Sequence, residues 1–440
     1  MINLRPFQLA TLLVAAIPVL VMFPGCKRGS EQAAELTPAS DSTAEEPVQI
    51  EPQSYEASAE EMLGARLSEE EAAQGWIRLF DGHTLYGWEI TGAANWRVED
   101  NSIVVDGGAR CLLCTSVPWQ DYELTLEFKA GEETNSGVFL RTPLEPEDPA
   151  LDCYEVNIAP DDNPFPTAGV VKRQKAETKT KQAFGEWRTM KMLMDGKQLQ
   201  ITVDGELACD YTDTIGLAAG RIGLQHNSGR VEFRNIRLRP LGLESLLDED
   251  LSKWKKYPEM PGEFTTTDEG WMHVQGGRTQ LESTQSYDDF VLLSEYKLPK
   301  AEMNSGLFFR CIPGDVMMGY ECQLSNEIKD GNPLTAADHG TGGIFKRQEA
   351  RVVAGEPGKW ATVVLVAHRE SIAAWVNGVQ VSNWYDDRKP HENPRKGLRL
   401  DAGTIMIQGH DPGTDALLKQ ISIASIAKAP TPVEEATADE

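Results

Sequence analysis

The words NSGVFLR (135–141) and NSGLFFR (304–310) decide the fold, because they are the clearest sign that the chain is duplicated. The other repeated words, with the earlier copy first, are YEVN (154–157) and YECQ (320–323), KRQ (172–174) and KRQ (346–348), VDG (203–205) and VNG (376–378), and IGLQH (222–226) and IMIQGH (405–410). All pairs recur in the same order, about 170 residues apart. This period is far longer than that of a solenoid unit, so each copy is expected to be a domain.

Both copies have the sequence pattern of short antiparallel strands. Apolar and polar residues alternate in YELTLEFK (122–129), the period of a strand with one face in the core. Asp195-Gly196 and Asp204-Gly205 lie between such runs and predict hairpin turns. Turn signals recur about every 8–12 residues, a spacing typical of sandwiches and barrels, and no long helical period is present. The pattern therefore predicts an all-β protein of two tandem β-sandwiches of the jelly-roll type, each with an open concave sheet.

Composition narrows the possible partners. The chain has 440 residues and a formal net charge of −26. Nucleic acids and anionic lipid headgroups both require basic protein surface, so neither is an expected partner. A small molecule or an oligosaccharide remains possible on these grounds.

The N-terminus indicates export. An apolar run, roughly Phe7 to Phe23, is too short and too early for an ordinary spanning helix. Gly25 directly precedes Cys26, which resembles the lipobox of bacterial lipoproteins, where the cysteine is lipidated and becomes the first mature residue. A plain cleaved signal and an uncleaved anchor are the alternatives. We expect a protein of the cell envelope or periplasm that touches a membrane only through a lipid on Cys26.

The remaining boundaries follow from composition. Residues 1–25 are the expected signal peptide, and residues 26–74 an acidic, flexible tether with too few apolar residues to offset its ordering entropy. Ser68 and Glu71 have capping-box spacing and predict one helical turn at its end. The two domains are expected at 75–241 and 251–427, followed by a disordered tail at 428–440.

The first copy resembles a known family. The resemblance rests on GWIRLFDGHTLYGW (75–88), the NSGVFLR strand, GEWRTMKM (185–192) and IGLQHNSGRVEFRNIRLRPL (222–241). These segments are similar to the 3-keto-disaccharide hydrolases, whose members are also described as 3-keto-glucoside lyases and 3-keto-2-hydroxyglucal hydratases. The second copy is similar but more divergent. The resemblance implies concanavalin A-like jelly rolls.

The resemblance also implies a reaction. A ketone at C3 of a sugar acidifies the hydrogen at C2, and removal of that proton allows the group at C1 to leave. Water then adds across the double bond. Such a site needs a positioned base, a cation or donor near the ketone oxygen, and polar groups for the hydroxyls.

Two acidic residues are the candidate bases. Glu155 and Glu321 stand inside strands that are otherwise apolar on one face. The alternative is a structural salt bridge to Arg141 or Arg310, which could equally orient the acid for substrate. His226 and His410, each after a glutamine in a late strand, are candidate proton shuttles, although a lone histidine is more often structural.

The remaining candidates would bind substrate. They are Asn135, Arg141, Asn157, Lys172 and Gln225 in the first copy and Asn304, Arg310, Gln323, Lys346 and Gln408 in the second. The lysines could bind the ketone or enolate oxygen, or they could be solvated loop charges. The asparagines could instead belong to turns. A divalent metal ion is possible as a cofactor, but no metal-binding spacing is present, so the metal stays unknown.

The cysteines predict no disulfide framework. Cys111 and Cys114 form a C-x-x-C pair, but residues three apart on a strand point to opposite faces, which disfavours both a bridge and a shared metal. We therefore expect buried free thiols.

Two functions remain open. The first is an exported enzyme that cleaves 3-keto-glycosides by elimination and hydration, or by net hydrolysis. The second is a non-catalytic, tandem lectin-like lipoprotein that binds carbohydrate. A lectin has no specific use for a base, and both copies keep Glu, Arg and Lys, which favours the enzyme.

Overall fold

The structure is a computed structural model that describes residues 56–177 and 183–427. The predicted signal peptide (1–25), the predicted lipidation site Cys26, the first part of the predicted tether (26–55) and the predicted tail (428–440) lie outside the described residues. No helix in the described ranges is long and apolar enough to cross a membrane.

The described residues form two short helices and twenty-eight strands. The helices are α1 (Ala59–Gly64) and α2 (Glu69–Ala73). The strands before residue 242 are β1 (Ile77–Arg78), β2 (Trp88–Ile90), β3 (Arg97–Glu99), β4 (Ser102–Val105), β5 (Cys111–Thr115), β6 (Tyr122–Ala130), β7 (Ser136–Thr142), β8 (Tyr154–Ile158), β9 (Arg188–Asp195), β10 (Gln198–Val203), β11 (Glu206–Thr212), β12 (Arg221–His226) and β13 (Val231–Pro240).

The strands after residue 242 follow the same plan. They are β14 (Glu244–Ser245), β15 (Trp254–Lys256), β16 (Glu263–Thr266), β17 (Met272–Gln275), β18 (Thr279–Tyr287), β19 (Phe290–Lys297), β20 (Ser305–Cys311), β21 (Tyr320–Leu324), β22 (Ile328–Lys329), β23 (Asn332–Ala336), β24 (Ala361–His368), β25 (Ser371–Val376), β26 (Val379–Tyr385), β27 (Gly403–Gly409) and β28 (Asp415–Ser425).

The two halves have identical sheet topology. The first sandwich has a large sheet of order β11-β10-β9-β6-β13-β4-β3 and a five-stranded sheet of order β2-β5-β12-β7-β8. The second has β26-β25-β24-β19-β28-β17-β16 and β15-β18-β27-β20-β21, in corresponding positions. Among the described residues, the hairpin of β22 and β23 is the one strand pair without a counterpart in the first half. The prediction of an all-β fold with two tandem jelly-roll sandwiches is therefore confirmed.

Local sequence explains the elements. In β6 the apolar residues face the core and the polar residues alternate outward, as the sequence predicts. Asp204 and Gly205 have φ of 51° and 86°, the left-handed conformation of a two-residue hairpin turn between Val203 and Glu206. Asn377 and Gly378 form the corresponding turn of the second copy, with φ of 49° and 84°.

The large sheet of the second sandwich is buried on both faces. Its inner residues belong to the second core, while Val291, Val364 and Trp375 join the core cluster of the first sandwich. Trp119 and Trp375 lie 5.6 Å apart between ring centroids across this junction. Burial on both faces explains the continuous apolar run ATVVLVAH of β24, where an exposed sheet would alternate.

Residues 56–74 contain two capped helices with buried side chains, so the flexible tether predicted for 26–74 is wrong over 56–74. Both helices begin with a capping box, including the predicted one at Ser68 and Glu71. Met62 and Ala65 are buried in the core of the second sandwich, and the Leu67 N–H donates to the Asn377 carbonyl at 2.9 Å. These contacts offset the entropic cost of ordering the segment. Composition alone had suggested that the segment could not offset this cost.

The prediction of buried free thiols is confirmed for the described cysteines. The six cysteines of the described ranges are buried and unpaired. Cys111 belongs to the main core and Cys114 to a small cluster on the opposite face of the same sheet.

Candidate functional site

Each sandwich carries a cleft on its five-stranded sheet. The first cleft has a volume of about 660 Å³ and is lined in part by β5, β7, β8 and β12. The second has a volume of about 400 Å³ and is lined by the corresponding part of its sandwich. The strand period explains the polar floor. In β8, Tyr154, Val156 and Ile158 enter the core, so Glu155 and Asn157 face the cleft.

The Asn-Ser-Gly motif makes room for the glutamate. Gly137 in β7 lies beside β8, and a Cβ added there would come within 3.4 Å of Glu155 Cγ and 3.1 Å of a backbone oxygen. At Gly306 an added Cβ would lie 3.0 Å from Glu321 Oε1. The hydroxyl of Ser136 donates to the carbonyl of Gln225 and fixes β7 against β12. The glycine of the motif thus leaves room for the glutamate side chain on the neighbouring strand.

Glu155 is a buried carboxylate that is hydrogen-bonded to one side chain among the described residues. Its side chain accepts a hydrogen bond from Gln225 Nε2 at 3.1 Å. Burial raises its pKa, while the Gln225 amide and the charges of Arg110 and Lys172 act in the opposite direction. The result is an acid that holds its proton more tightly than a solvated glutamate.

Glu321 is the corresponding acid of the second cleft and is perturbed further. Burial raises its pKa to about 7, the Asp338 carboxylate adds to the shift, and Arg395 and Lys346 oppose it. The nearest cationic atom is Arg395 Nη2, at 4.0 Å from Glu321 Oε2. Both protonation states are therefore populated near neutral pH.

This perturbation predicts a pH-dependent stability. Because the folded pKa of Glu321 lies above the unfolded value of 4.5, its favourable contribution is complete below 4.5 and is lost as the pH rises through about 7. Glu321→Gln avoids that loss, so it should stabilise the protein by up to about 3 kcal/mol at about pH 8 and have little effect at about pH 4. Urea unfolding at both pH values measures this. The exposed Glu349→Gln is the control, and an equal change at both pH values would contradict the assignment.

The two predicted lysines occupy the same place in the two clefts. Lys172 and Lys346 both line their cleft and both have left-handed backbones, with φ of 60° and 59°. Lys172 Nζ pairs with Asp148 Oδ1 at 2.9 Å, whereas Lys346 Nζ lies over the ring of Phe345. The structure thus brings each lysine to the cleft of its glutamate.

All the predicted amides line the clefts. They are Asn135, Asn157 and Gln225 in the first and Asn304, Gln323 and Gln408 in the second. The side-chain oxygens of Gln225, Asn304, Gln323 and Gln408 are buried without a hydrogen-bond partner among the described residues. Buried acceptors of this kind are suited to hydroxyl donors.

The prediction that Arg141 and Arg310 bind substrate is wrong, and so is the alternative that they pair with the glutamates. Neither lines a cleft. The Arg141 guanidinium donates to the backbone carbonyls of Gln120, Gly196 and Leu217 and to Asp121. Arg310 makes the same set of bonds, to the carbonyls of Asp288, Arg369 and Arg399 and to Asp289.

The backbone explains why these arginines turn away. Arg141 and Arg310 have φ of 49° and 48°, and the pairing of β7 and β20 with their neighbours shifts register at this point. A β-bulge re-aims the side chain that it carries, so the alternation no longer holds there. The conserved role is to tie the strand end to three loops.

The two histidines do not correspond. His226 is buried and does not line the first cleft, and burial lowers its pKa. The prediction that His226 is a proton shuttle of this cleft is therefore wrong. His226 pairs with Cys111 on the neighbouring strand. At the corresponding position of the second sandwich, Gly409 pairs with Thr279, so His226 corresponds to Gly409. Asn227 is therefore the counterpart of His410, and both line their clefts. His410 is exposed and hydrogen-bonded to Asp411 at 2.8 Å.

Sequence reasoning missed several cleft residues. Arg110 and Arg278 line the two clefts and occupy equivalent positions, each one residue before a strand. They could have been found by aligning the copies outside the repeated words. Asp338 and Arg395 line only the second cleft, and no repeat marks them.

The arrangement of the acidic, histidine and cysteine side chains bears on whether a cleft binds a metal ion. Within 56–177 and 183–427, no group of three or more His, Cys, Asp or Glu side chains is arranged to hold a metal ion. Asp338 and Glu321 are the two carboxylates of the second cleft, and both face cations or amides. The described residues thus offer no ready set of metal ligands.

Several solved structures are similar to part of this chain. A Parabacteroides distasonis protein, provisionally described as a glycosyl hydrolase, is 22% identical over 40% of this chain and 99% of its own, with a TM-score of 0.37. The carbohydrate-binding module CBM66 of Bacillus subtilis is 17% identical over 35% of this chain and 95% of its own, with a TM-score of 0.29. No curated protein matches the chain significantly.

The family model settles the relationship. The model of the 3-keto-alpha-glucoside-1,2-lyase-like domain matches residues 75–239 and again residues 242–424. The two matches cover most of the chain and include both clefts. This chain belongs to the family of 3-keto-alpha-glucoside-1,2-lyase-like domains, which it contains twice in tandem.

Proposed function

We propose that this protein is an enzyme that cleaves 3-keto-glycosides by elimination, with Glu155 and Glu321 as the bases of its two clefts. One observation carries the proposal. At the same strand position of both domains, a buried carboxylate with a raised pKa faces a cleft lined by amides, an arginine and a lysine. Family membership supports a carbohydrate substrate.

In the first step, the carboxylate removes the proton at C2. The electron pair of the C2–H bond forms the enolate with the C3 carbonyl. The enolate then expels the C1 oxygen substituent, so that a C1–C2 double bond forms and the C1–O bond breaks. The leaving oxygen takes up a proton, and the products are a 3-keto-2-hydroxyglucal and an alcohol. Addition of water, with hydroxyl at C1 and hydrogen at C2, gives the 3-keto sugar without any change in oxidation state.

The raised pKa suits this role. A base is most effective when its pKa lies near the working pH, because it is then ionised often enough and still accepts a proton readily. The pKa of Glu321, about 7, meets this condition near neutral pH. The amide of Gln225 holds the Glu155 carboxylate in place through Oε1, and among the described residues no side chain is hydrogen-bonded to Oε2.

The cations would stabilise the enolate. Negative charge develops on the C3 oxygen during proton removal, and a lysine or arginine placed beforehand lowers the energy of that state. Lys172 with Arg110, and Lys346 with Arg278, are the pairs present in both clefts. The amides would accept hydrogen bonds from the ring hydroxyls.

Release of an alcohol from a 3-keto-glucoside tests the proposal. The protein should release the aglycone and transiently form a conjugated enone that absorbs ultraviolet light. An unoxidised glucoside should not be cleaved, because its C2 hydrogen is not acidic. Binding of the 3-keto-glucoside without any release would support the alternative, a non-catalytic carbohydrate-binding protein, and would overturn the enzyme.

A further inference from the structure

The two clefts differ in charge, and the difference points to different ligands. We propose that the second cleft binds a sugar ring carrying an anionic substituent, a hexuronate carboxylate, whereas the first cleft takes a neutral sugar. The proposal rests on the proposed function for the ring itself and adds the substituent and the division of labour between the copies.

The second cleft contains more cations than carboxylates. Arg278, Lys346 and Arg395 line it, against Glu321 and Asp338. Arg278 and Lys346 make no ion pair within the described part of the chain, so their charges are available to a ligand. In a cleft with low-dielectric walls, such a surplus attracts an anion more strongly than it would on an open surface.

The first cleft has the opposite balance. Arg110 and Lys172 line it, against Glu145, Glu147 and Glu155. Lys172 is already paired with Asp148 at 2.9 Å. A carboxylate on the sugar would meet uncompensated negative charge at this rim, which disfavours binding.

Arg395 lies in a loop that is longer in the second domain than in the first. The loop joins β26 to β27, and Arg388 Nη2 braces it by donating to the carbonyls of Pro394 and Gly397. Arg347 donates to the carbonyl of Arg395 at 2.8 Å. Arg395 itself donates to the Met317 carbonyl at 2.9 Å, which leaves the rest of its guanidinium for a ligand. A preformed arginine loses little entropy when it binds a carboxylate.

Amide oxygens in the second cleft are placed for the ring hydroxyls. Asn304 Nδ2 and Gln323 Nε2 both donate to Asp338 Oδ2, at 2.8 and 3.3 Å. A carboxylate accepts only from the amide nitrogen, so the amide oxygens must point elsewhere. Those oxygens, together with that of Gln408, are buried and unpartnered among the described residues. Gln323 is fully buried, so a hydroxylated ligand would relieve a real desolvation cost.

Titration calorimetry on the full chain tests the proposal. The probes are methyl glucuronide, methyl glucoside and methyl glucoside 6-sulfate. Methyl glucuronide should bind roughly tenfold or more tightly than methyl glucoside, as expected for one charge-assisted contact. Arg395→Met and, separately, the exposed Arg278→Met should each remove most of that preference. The matched first-cleft variant Arg110→Met should leave it intact.

The outcomes separate this inference from the proposed function. Equal affinity for glucuronide and glucoside, or a preference that survives both Arg395→Met and Arg278→Met, would overturn it. Tighter binding of the sulfate than of the carboxylate would overturn the assignment to a hexuronate. The readout is binding, so a protein that binds glucuronide selectively but releases no alcohol from 3-keto-glycosides would retain this inference and lose the proposed activity.

Discussion

Replacing both glutamates by glutamine should lower the kcat for 3-keto-glucoside cleavage by about 10³-fold, within the usual range for loss of a general base. Glutamine keeps the shape of the side chain, and its carbonyl oxygen can still accept the hydrogen bond that Gln225 donates to Glu155. The site therefore stays assembled and only the capacity to accept the C2 proton is lost. Because substrate contacts remain, KM should change little.

The single variants assign the activity to a cleft. Glu155→Gln should remove the turnover contributed by the first cleft, and Glu321→Gln that of the second, when each is measured with saturating substrate. Glu145→Gln is the matched control, because Glu145 lines the first cleft but is exposed at its rim. A double variant with wild-type kcat would show that neither glutamate is the base.

Arg310→Met should destabilise the second sandwich by about 3–5 kcal/mol, the cost of breaking a buried ion pair by removing one partner. The Arg310 side chain is fully buried, and its loss takes a donor from three backbone carbonyls. It also removes the guanidinium that pairs with Asp289, which keeps, among the described residues, only the backbone N–H of Arg369 as a hydrogen-bond donor to Oδ1. Urea unfolding measures the change. Arg141→Met should act alike on the first sandwich, where the bonding pattern is the same.

The control for this prediction is Arg395→Met, an arginine that is partly exposed at the second cleft. It should change stability by less than about 1 kcal/mol, as partly exposed ion pairs do. If Arg310→Met instead left the unfolding midpoint unchanged and raised KM, the arginine would be a substrate ligand, as the sequence alone suggested.

Sequence was sufficient for the features that depend on strand alternation. The repeated words identified two sandwiches, and a period of two placed Glu155 with Asn157, and Glu321 with Gln323, on one face. The positions of most predicted amides and of both lysines at the clefts could be predicted from the same alternation or from the loops that adjoin these strands. The glycine of the NSG motif could be noticed but not explained, because its reason lies on a neighbouring strand.

The failures share a cause, which is local departure from that alternation. The bulge at Arg141 reverses a side chain without a signature in the sequence. His226 was matched to His410, but a shift of one residue along a strand moves a side chain to the other face. Contacts between the domains, such as those that bury β24 on both faces and order residues 56–74, involve long-range packing that no local pattern encodes.

Cleavage of a 3-keto-glucoside in deuterium oxide tests the central claim most directly. Proton removal from C2, followed by addition of solvent across the double bond, predicts a 3-keto sugar with deuterium at C2 when the product is analysed by mass spectrometry and NMR before slow exchange. An unenzymatic incubation of the product under the same conditions corrects for that exchange. Release of the alcohol with the original hydrogen still at C2 would mean direct displacement at C1 and would contradict the account.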